Sequence, residues 1–327
     1  MSQTRLRIKH HFQKKSLKSK QQNLTSQVET RNLVAQILSL AFKITILGFF
    51  GLIILFPFYF MISQSLVPAA SSSDTQTIFY YPHSTTSSKL ELDWSNFVNA
   101  FQKGYFNAIL FTAGTTALSV TCRIFFAMTF GYAFSLRKWR FKNLSWAFFL
   151  ALLVLPETAL LAGQYQVVVR LNFHVGSWKM VALTMPFVAS VFSGFMFRNA
   201  FEAIPDSVKE SSMIDGASEL KFFVRIAIPM IKSTLWTVCI LTALASWNSF
   251  IWPQLILGSK GDGGYTVMNV WLFTTGKNEM NPEDTQIVRS IRMAATILVI
   301  LPMFVTYFIF RGRIMKAISR QGSGQKG

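Results

Sequence analysis

Charge is what this chain has least of. Only 14% of its 327 residues are Asp, Glu, Lys or Arg, against 51% hydrophobic, and its mean hydropathy is +0.36. Roughly a quarter of the residues in a soluble domain are charged, so an ordinary soluble globular class is excluded. Cysteine is nearly as scarce. Cys122 and Cys239 both fall inside apolar runs, where a thiol behaves as a small apolar group, and a disulfide framework is excluded. His10, His11, His83 and His174 have no partners at metal-ligand spacing, which leaves no zinc site. The chain lacks a G-x-x-x-x-G-K-S/T phosphate loop: the Gly-rich "GSKGDGG" at 258–264 has no Lys-Ser/Thr after it. An HExxH motif, a Ser/His/Asp arrangement and a carboxylate pair at usable spacing are also missing, which argues against a membrane-embedded enzyme. An ion-coupled transporter is a further class to weigh. Proton coupling uses buried carboxylates, and Glu157 is the one acid inside an apolar run. Inverted repeats with matching interrupted segments are not evident either.

What is present is a set of long apolar runs. About 20 residues are needed to cross about 30 Å of hydrocarbon, and six runs are long enough: about 37–62, 107–135, 145–168, 179–197, 233–257 and 289–310. The expected fold class is therefore an all-α integral membrane protein with six transmembrane helices. The basic residues fix its orientation. If the spans alternate, 22 of the 32 Lys and Arg lie on one side, in the N-terminal tail, the 136–144 loop, the 198–232 loop and the segment after the last span. Excess positive charge marks the cytoplasmic face, so both termini are expected there, in a multi-pass cell-membrane protein. The net charge of +18 then reads as topology and contact with anionic lipid rather than nucleic-acid binding. The organisation expected is a basic tail at 1–36, a six-span domain at 37–310 containing a polar loop at 198–230, and a cytoplasmic tail at 311–327.

Between the first two spans lies a Ser/Thr-rich low-complexity loop. "LDWSNFVNAFQKG" follows it, with Leu92, Phe97, Ala100 and Phe101 at helical spacing, and is expected to lie on the outer membrane surface. Arg123 and Glu157 stand within the second and third runs, each roughly 18–20 Å from the basic face at 1.5 Å per residue. An ionised group at that depth finds a partner or a water-filled cavity. Two readings stand: the two residues pair or face one polar cavity, or Arg123 takes backbone carbonyls or a second subunit while Glu157 lines a pathway.

The polar loop contains "ESSMIDGASELKFFVRIAIP" at 210–229. Pro205 suits the first turn of a helix, and Asp206 and Glu210 suit the positive end of its dipole. That helix is expected to run to Ile214 and to stop at Asp215-Gly216, where Gly tolerates positive φ. Ser218 can cap a second helix, with Leu220, Phe223, Val224 and Ala227 on one face, ended or kinked by Pro229.

This stretch resembles the E-A-A-x-x-x-G coupling loop of the membrane subunits of ATP-binding-cassette importers. Glu210 stands at the Glu position, Ser211 and Ser212 at the two small positions and Gly216 at the Gly. The "IDGA" at 214–217 and the "IAIP" at 226–229 match intact. Ser for Ala is a departure that keeps the small size. "WNSFIWPQLIL" at 247–257 resembles the signature of the maltose-type carbohydrate branch, with Ser249 where Asp is usual.

The resemblance implies a type I importer permease fold in which 205–229 presses into a partner ATPase. Glu210, Ser211, Ser212, Asp215, Gly216, Ala217 and Pro229 would carry that coupling. It implies a second homologous permease subunit, two ATPase subunits that bind the ATP and Mg, and an extracytoplasmic solute-binding protein reached by the 258–288 loop with Tyr265, Trp271 and Phe273. No cofactor or metal is implied in this chain, nor any ATPase activity of its own. Trp247, Asn248, Trp252 and Glu157 are candidates for a sugar pathway, since aromatic faces and amides suit hydroxylated rings; the tryptophans and Asn248 equally suit helix packing. The solute implied is a sugar, with a polyol or glycerol phosphate as the alternative.

Overall fold

The computed structural model describes residues 33–69, 92–102, 104–135, 139–258, 265–277 and 287–323. Residues 1–32 of the expected tail, residues 70–91 of the low-complexity loop and the two outer-loop stretches at 259–264 and 278–286 lie outside these. The chain divides into two units, 1–60 and 61–327, and the described residues of the first, 33–60, belong to one helix that ends five residues into the second. This is α1, Leu33–Ser65, whose Pro57 is accommodated inside it. Its exposed Leu, Ile and Phe side chains ring the whole cylinder, the pattern of a helix solvated by lipid.

The second unit is a helical bundle. Helix α2, Ser95–Gln102, is held by Asn96, which is fully buried. The Asn96 amide donates to the carbonyls of Ser65 at 3.0 Å and Val67 at 2.8 Å, and accepts from Ser290 at 3.3 Å. The anchor of this short amphipathic helix is thus a polar side chain. Of the four apolar residues at helical spacing, Ala100 is buried, while Leu92 and Phe101 are exposed.

Three of the six expected spans are continuous, and three are not. The continuous ones are α1, α3 (Tyr105–Ser135) and α13 (Arg289–Ser323), the last running past the expected boundary at 310. The expected 145–168 span is two helices, α4 (Lys142–Leu152) and α5 (Glu157–Arg170), separated by residues 153–156. Pro156 holds an extended backbone there, as a residue without an N–H and with a fixed φ does. The 179–197 span is α6 (Lys179–Thr184), a 3-10 turn containing Pro186, and α7 (Val191–Glu202), with the two arms bent by 57°. Ser190 caps α7 by accepting from the Ser193 amide.

The 233–257 span is α10 (Lys232–Trp247) followed by the separate α11 (Ile251–Leu257). Asn269, on α12 (Met268–Thr274), seals that break. Its amide donates to the carbonyls of Trp247 and Ser249, both at 3.2 Å, which α-helical geometry no longer satisfies.

Close packing sets the centre of the bundle. A Cβ on Gly131 of α3 would lie 2.6 Å from the Phe197 Cβ and 2.8 Å from the Arg198 nitrogen of α7. One on Gly194 would lie 2.5 Å from the Phe130 ring. The two helices cross backbone to backbone because neither glycine carries a side chain, the means by which membrane helices gain dispersion contact.

Candidate functional site

The polar loop forms a helix-turn-helix: α8 (Asp206–Ile214) and α9 (Glu219–Phe222). Pro205 is the N-cap of α8, one position before the expected first turn, and Asp206 is its first-turn acid, with Glu210 a turn later. The turn is a Schellman cap. The Gly216 amide donates to the Met213 carbonyl and the Ala217 amide to the Ser212 carbonyl, both at 3.0 Å, while Gly216 takes φ +73°. Nothing lies within 4 Å of a Cβ placed on Gly216, so the glycine is there for its backbone alone. Ser218 then caps α9, its hydroxyl accepting from the Lys221 amide at 3.3 Å.

The two serines at the small positions divide their roles. Ser212 is buried, and its hydroxyl turns back onto the Lys209 carbonyl at 2.7 Å. Ser211 is exposed and bonds the Ser207 carbonyl at 2.8 Å. Each hydroxyl spends its donor on its own helix, so the serines meet the packing as small residues. Glu210 and Asp215 are exposed and Ala217 half-buried.

Beyond α9 the chain does not keep α-helical register. Phe223–Ala227 form a π turn, Ile228–Met230 one α turn, and the arm then bends by 76° into α10. Pro229 has no N–H for the carbonyl four residues back, and widening the turn ahead of it accommodates that loss. The face expected to hold Leu220, Phe223, Val224 and Ala227 together is therefore split. Phe222 (3% exposed) and Ala227 (0%) are buried, while Leu220 (72%) and Val224 (51%) point outward. Phe222, Ala227 and Ile231 pack on Phe197, Phe201 and Ile204 of α7 and the residues after it. The Tyr132 ring of α3 lies 4.6 Å from Phe223 and 5.4 Å from Phe201. Burying each large apolar side chain contributes about 1.5–3 kcal/mol, so the knob is seated on the bundle.

The outer surface of the knob is one that pattern reading missed. Met213 (51%), Ile214 (87%), Leu220 and Val224 are all exposed, set among Glu210, Asp215, Glu219, Lys221 and Arg225. Large apolar side chains rimmed by charge are what protein-contact and membrane-contact surfaces present. The available signal was the apolar pair Met213-Ile214 directly before a turn.

Among the described residues, the candidate pathway residues Trp247, Asn248 and Trp252 do not come together as one lining. Trp252 is 2% exposed, and its indole N–H donates to the Ala182 carbonyl at 3.1 Å; its ring meets Phe187 edge-on at 5.7 Å. Its surroundings are helix packing. Trp247 is half-buried against the cluster around Met268 and Trp271, and Asn248 is exposed, its amide donating to the Leu244 carbonyl at 2.9 Å. Ser119 and Ser246 join α3 to α10 beside them at 3.3 Å.

Arg123 donates from Nε to the Phe187 carbonyl at 2.9 Å, the backbone partner that one of the two readings names. The side chain of Glu157 lies outside the described residues, and with it the expected Arg123–Glu157 pair. Of the outer aromatics, Trp271 is buried against Tyr105, while Tyr265 and Phe273 are partly exposed. Among the described residues no group of His, Cys, Asp and Glu is placed to hold a metal.

Comparison with known proteins covers nearly the whole chain. The model of the family "Binding-protein-dependent transport system inner membrane component" matches residues 31–320. A probable ABC transporter permease protein of Mycoplasma genitalium is 45% identical over 305 residues, 92% of this chain and 93% of the relative. The sn-glycerol-3-phosphate transport system permease protein UgpE of Yersinia enterocolitica is 31% identical over 65% of this chain and 74% of its own length. The arabinooligosaccharides transport system permease protein AraQ of Bacillus subtilis is 27% identical over 63% of this chain and 70% of its own. Among solved structures, a chain of a bacterial ABC transporter involved in the import of the acidic polysaccharide alginate superposes with a TM-score of 0.68. It is 18% identical and covers 86% of this chain and 98% of that one, which shows a shared fold.

Proposed function

The chain belongs to the family of binding-protein-dependent transport system inner membrane components, with the type I ABC importer permease fold, and from that premise we propose that it carries a sugar or related polyhydroxy solute across the cell membrane. The observation that carries the coupling half of this reading is the knob at 205–229. Its turn is locked by a Schellman cap, its inner face is seated on α3 and α7, and its outer face presents Ile214 and Leu220 to a partner. An ATPase that closes on ATP pushes such a knob without bending it, and the push passes to the spans beneath.

In this reading two ATPase subunits hold the ATP and Mg, a second homologous permease completes the pathway, and a solute-binding protein delivers the solute from outside. Both termini and the knob face the cytoplasm, in keeping with the basic loops. Glu210, Asp215 and Gly216 shape and charge the contact; Ser211, Ser212, Ala217 and Pro229 set its packing and its exit.

The carbohydrate assignment rests on relatives. AraQ is named for arabinooligosaccharides, and the "WN…WP" block fits the same branch. Exposed Asn248 beside Trp247 supports a path that hydrogen-bonds hydroxyl groups. The second reading, a glycerol phosphate or other polyol, is favoured by the likeness to UgpE.

Purification of the chain from its native membrane, with identification of what stays bound, tests the assembly. An ATPase and a second six-span relative are the expected companions; a homo-oligomer that transports without an ATPase would remove the reading. Equilibrium binding of radiolabelled arabinooligosaccharide and glycerol 3-phosphate to the co-purified binding protein decides between the two solutes.

A further inference from the structure

Arg198 sits where three helices of the bundle meet, one turn before the chain leaves α7 for the knob. Its Nε donates to the carbonyl of Phe134, at the end of α3, at 3.2 Å. Its guanidinium carbon lies 4.3 Å above the ring of Trp146, on α4. Its Nη2 meets Glu202 Oε1, at the end of its own helix, at 2.7 Å. The planar fork and the delocalised charge make all three contacts possible at once, which a lysine ammonium cannot do.

The surroundings are equally ordered. Trp146 is buried and stacks on Phe195 with rings 6.0 Å apart and 12° from parallel. Phe134 meets Trp146 at 5.4 Å. Gly131 and Gly194 bring the α3 and α7 backbones together directly above. Only residues 203–205 separate α7 from α8, and Ile204 among them is buried in the cluster beneath the knob.

We infer that Arg198 is a positioning residue that clamps the ends of α3, α4 and α7 into one body and so sets the direction in which the knob stands. The inference rests on the reading of 205–229 as the ATPase contact. The clamp lets a displacement of the knob reach α3 and α4 together, instead of being absorbed in the short connection at 203–205. The ring and the ion pair keep the guanidinium in place, and the Phe134 carbonyl, which a helix end leaves without an intrahelical partner, receives a charged donor.

The test is a nitroxide label on the knob at Ser207→Cys and a control label on α3 at Leu110→Cys. Both positions are exposed, and Cys122 and Cys239 are replaced by Ala in each chain. The spectra are recorded on the complex as purified from membranes. Arg198→Gln is expected to raise the mobile component of the knob label about tenfold, in line with the loss of a partly desolvated cation–π contact and a charge-assisted bond. The α3 label should be unchanged. Trp146→Leu, which keeps the charge and removes the ring, is expected to act in the same direction, and Arg198→Lys to restore part of the order. If Arg198→Gln does not accumulate, Trp146→Leu carries the test. An unchanged knob label overturns the inference, and so does equal loosening at both labels, which marks general destabilisation. The label result is independent of the wider reading: if no ATPase accompanies the wild-type chain, the coupling assignment fails while the clamp is still decided by the spectra.

Discussion

Replacing Gly216 by Asn, Ala and Pro separates backbone conformation from contact at the knob. The residue sits at φ +73° with open space where a Cβ would go, so each variant acts through the backbone alone. Alanine meets the left-handed penalty of about 1–2 kcal/mol, and each 1.4 kcal/mol lowers the population of the turn roughly tenfold. Asparagine is the usual substitute at this cap position and loses less. Proline differs in kind. Its ring fixes φ at about −65° and deletes the N–H that the Met213 carbonyl accepts at 3.0 Å. The lost bond is worth about 1 kcal/mol, but no proline conformer reaches the required φ, so the cap cannot close.

The turn is made of local bonds, and the spans below do not depend on it. Membrane abundance and the thermal midpoint in detergent are therefore expected to match wild type for all three variants. The assay is the amount of ATPase retained per chain after purification, with the order Gly, Asn, Ala, Pro and almost none for the last. Wild-type retention by Gly216→Pro would falsify the reasoning. Loss of abundance in step with retention would place Gly216 in folding instead of docking and refute it equally.

Three further outcomes follow from the same geometry. Ile214→Ser removes the most exposed apolar side chain of the knob, and ATPase affinity measured by titration should fall by about 1.5–3 kcal/mol, with the thermal midpoint unchanged. Gly131→Ala drives a methyl into the Phe197 Cβ and the Arg198 backbone. Overpacking of this kind costs about 1–3 kcal/mol and should lower the thermal midpoint in detergent. Asn96→Ala leaves the buried carbonyls of Ser65 and Val67 without their donor, at a cost of about 1–3 kcal/mol. Hydrogen exchange should rise in α2, and Asn96→Asp should not rescue it, because an ionised carboxylate has no proton to donate.

The parts of the fold that were legible are those decided by neighbouring residues. Pro205, Asp206, Asp215-Gly216 and Ser218 announce a start, a stop and a second start, since caps and left-handed turns are settled within a few residues. The apolar length of the spans is legible for the same reason. Their breaks were less so: Pro156 and Pro186 are tolerated in many membrane helices, and whether the chain bends or merely kinks depends on what accepts the freed backbone groups. The face of the second knob helix was misread because the π turn at 223–227 adds a residue to the repeat: Leu220 and Val224 stay together on the outer side, while Ala227, expected beside them, turns inward. Trp252 looks like a pathway residue in a string of aromatics. Its partner, the Ala182 carbonyl, lies 70 positions away, a distance over which composition says nothing.

Because the turn between α8 and α9 is closed entirely by its own backbone and two caps, the knob is portable. Changes at Met213, Ile214 or Leu220 alter what a partner meets without asking any span to repack, and changes in the spans away from the Arg198 clamp and the seat of Phe222 need not disturb that contact. A permease built this way can trade one ATPase for another over evolutionary time by exchanging one short segment, while its solute path drifts independently. Transplanting 205–229 between relatives that use different ATPases should carry partner choice with it and leave the choice of solute behind.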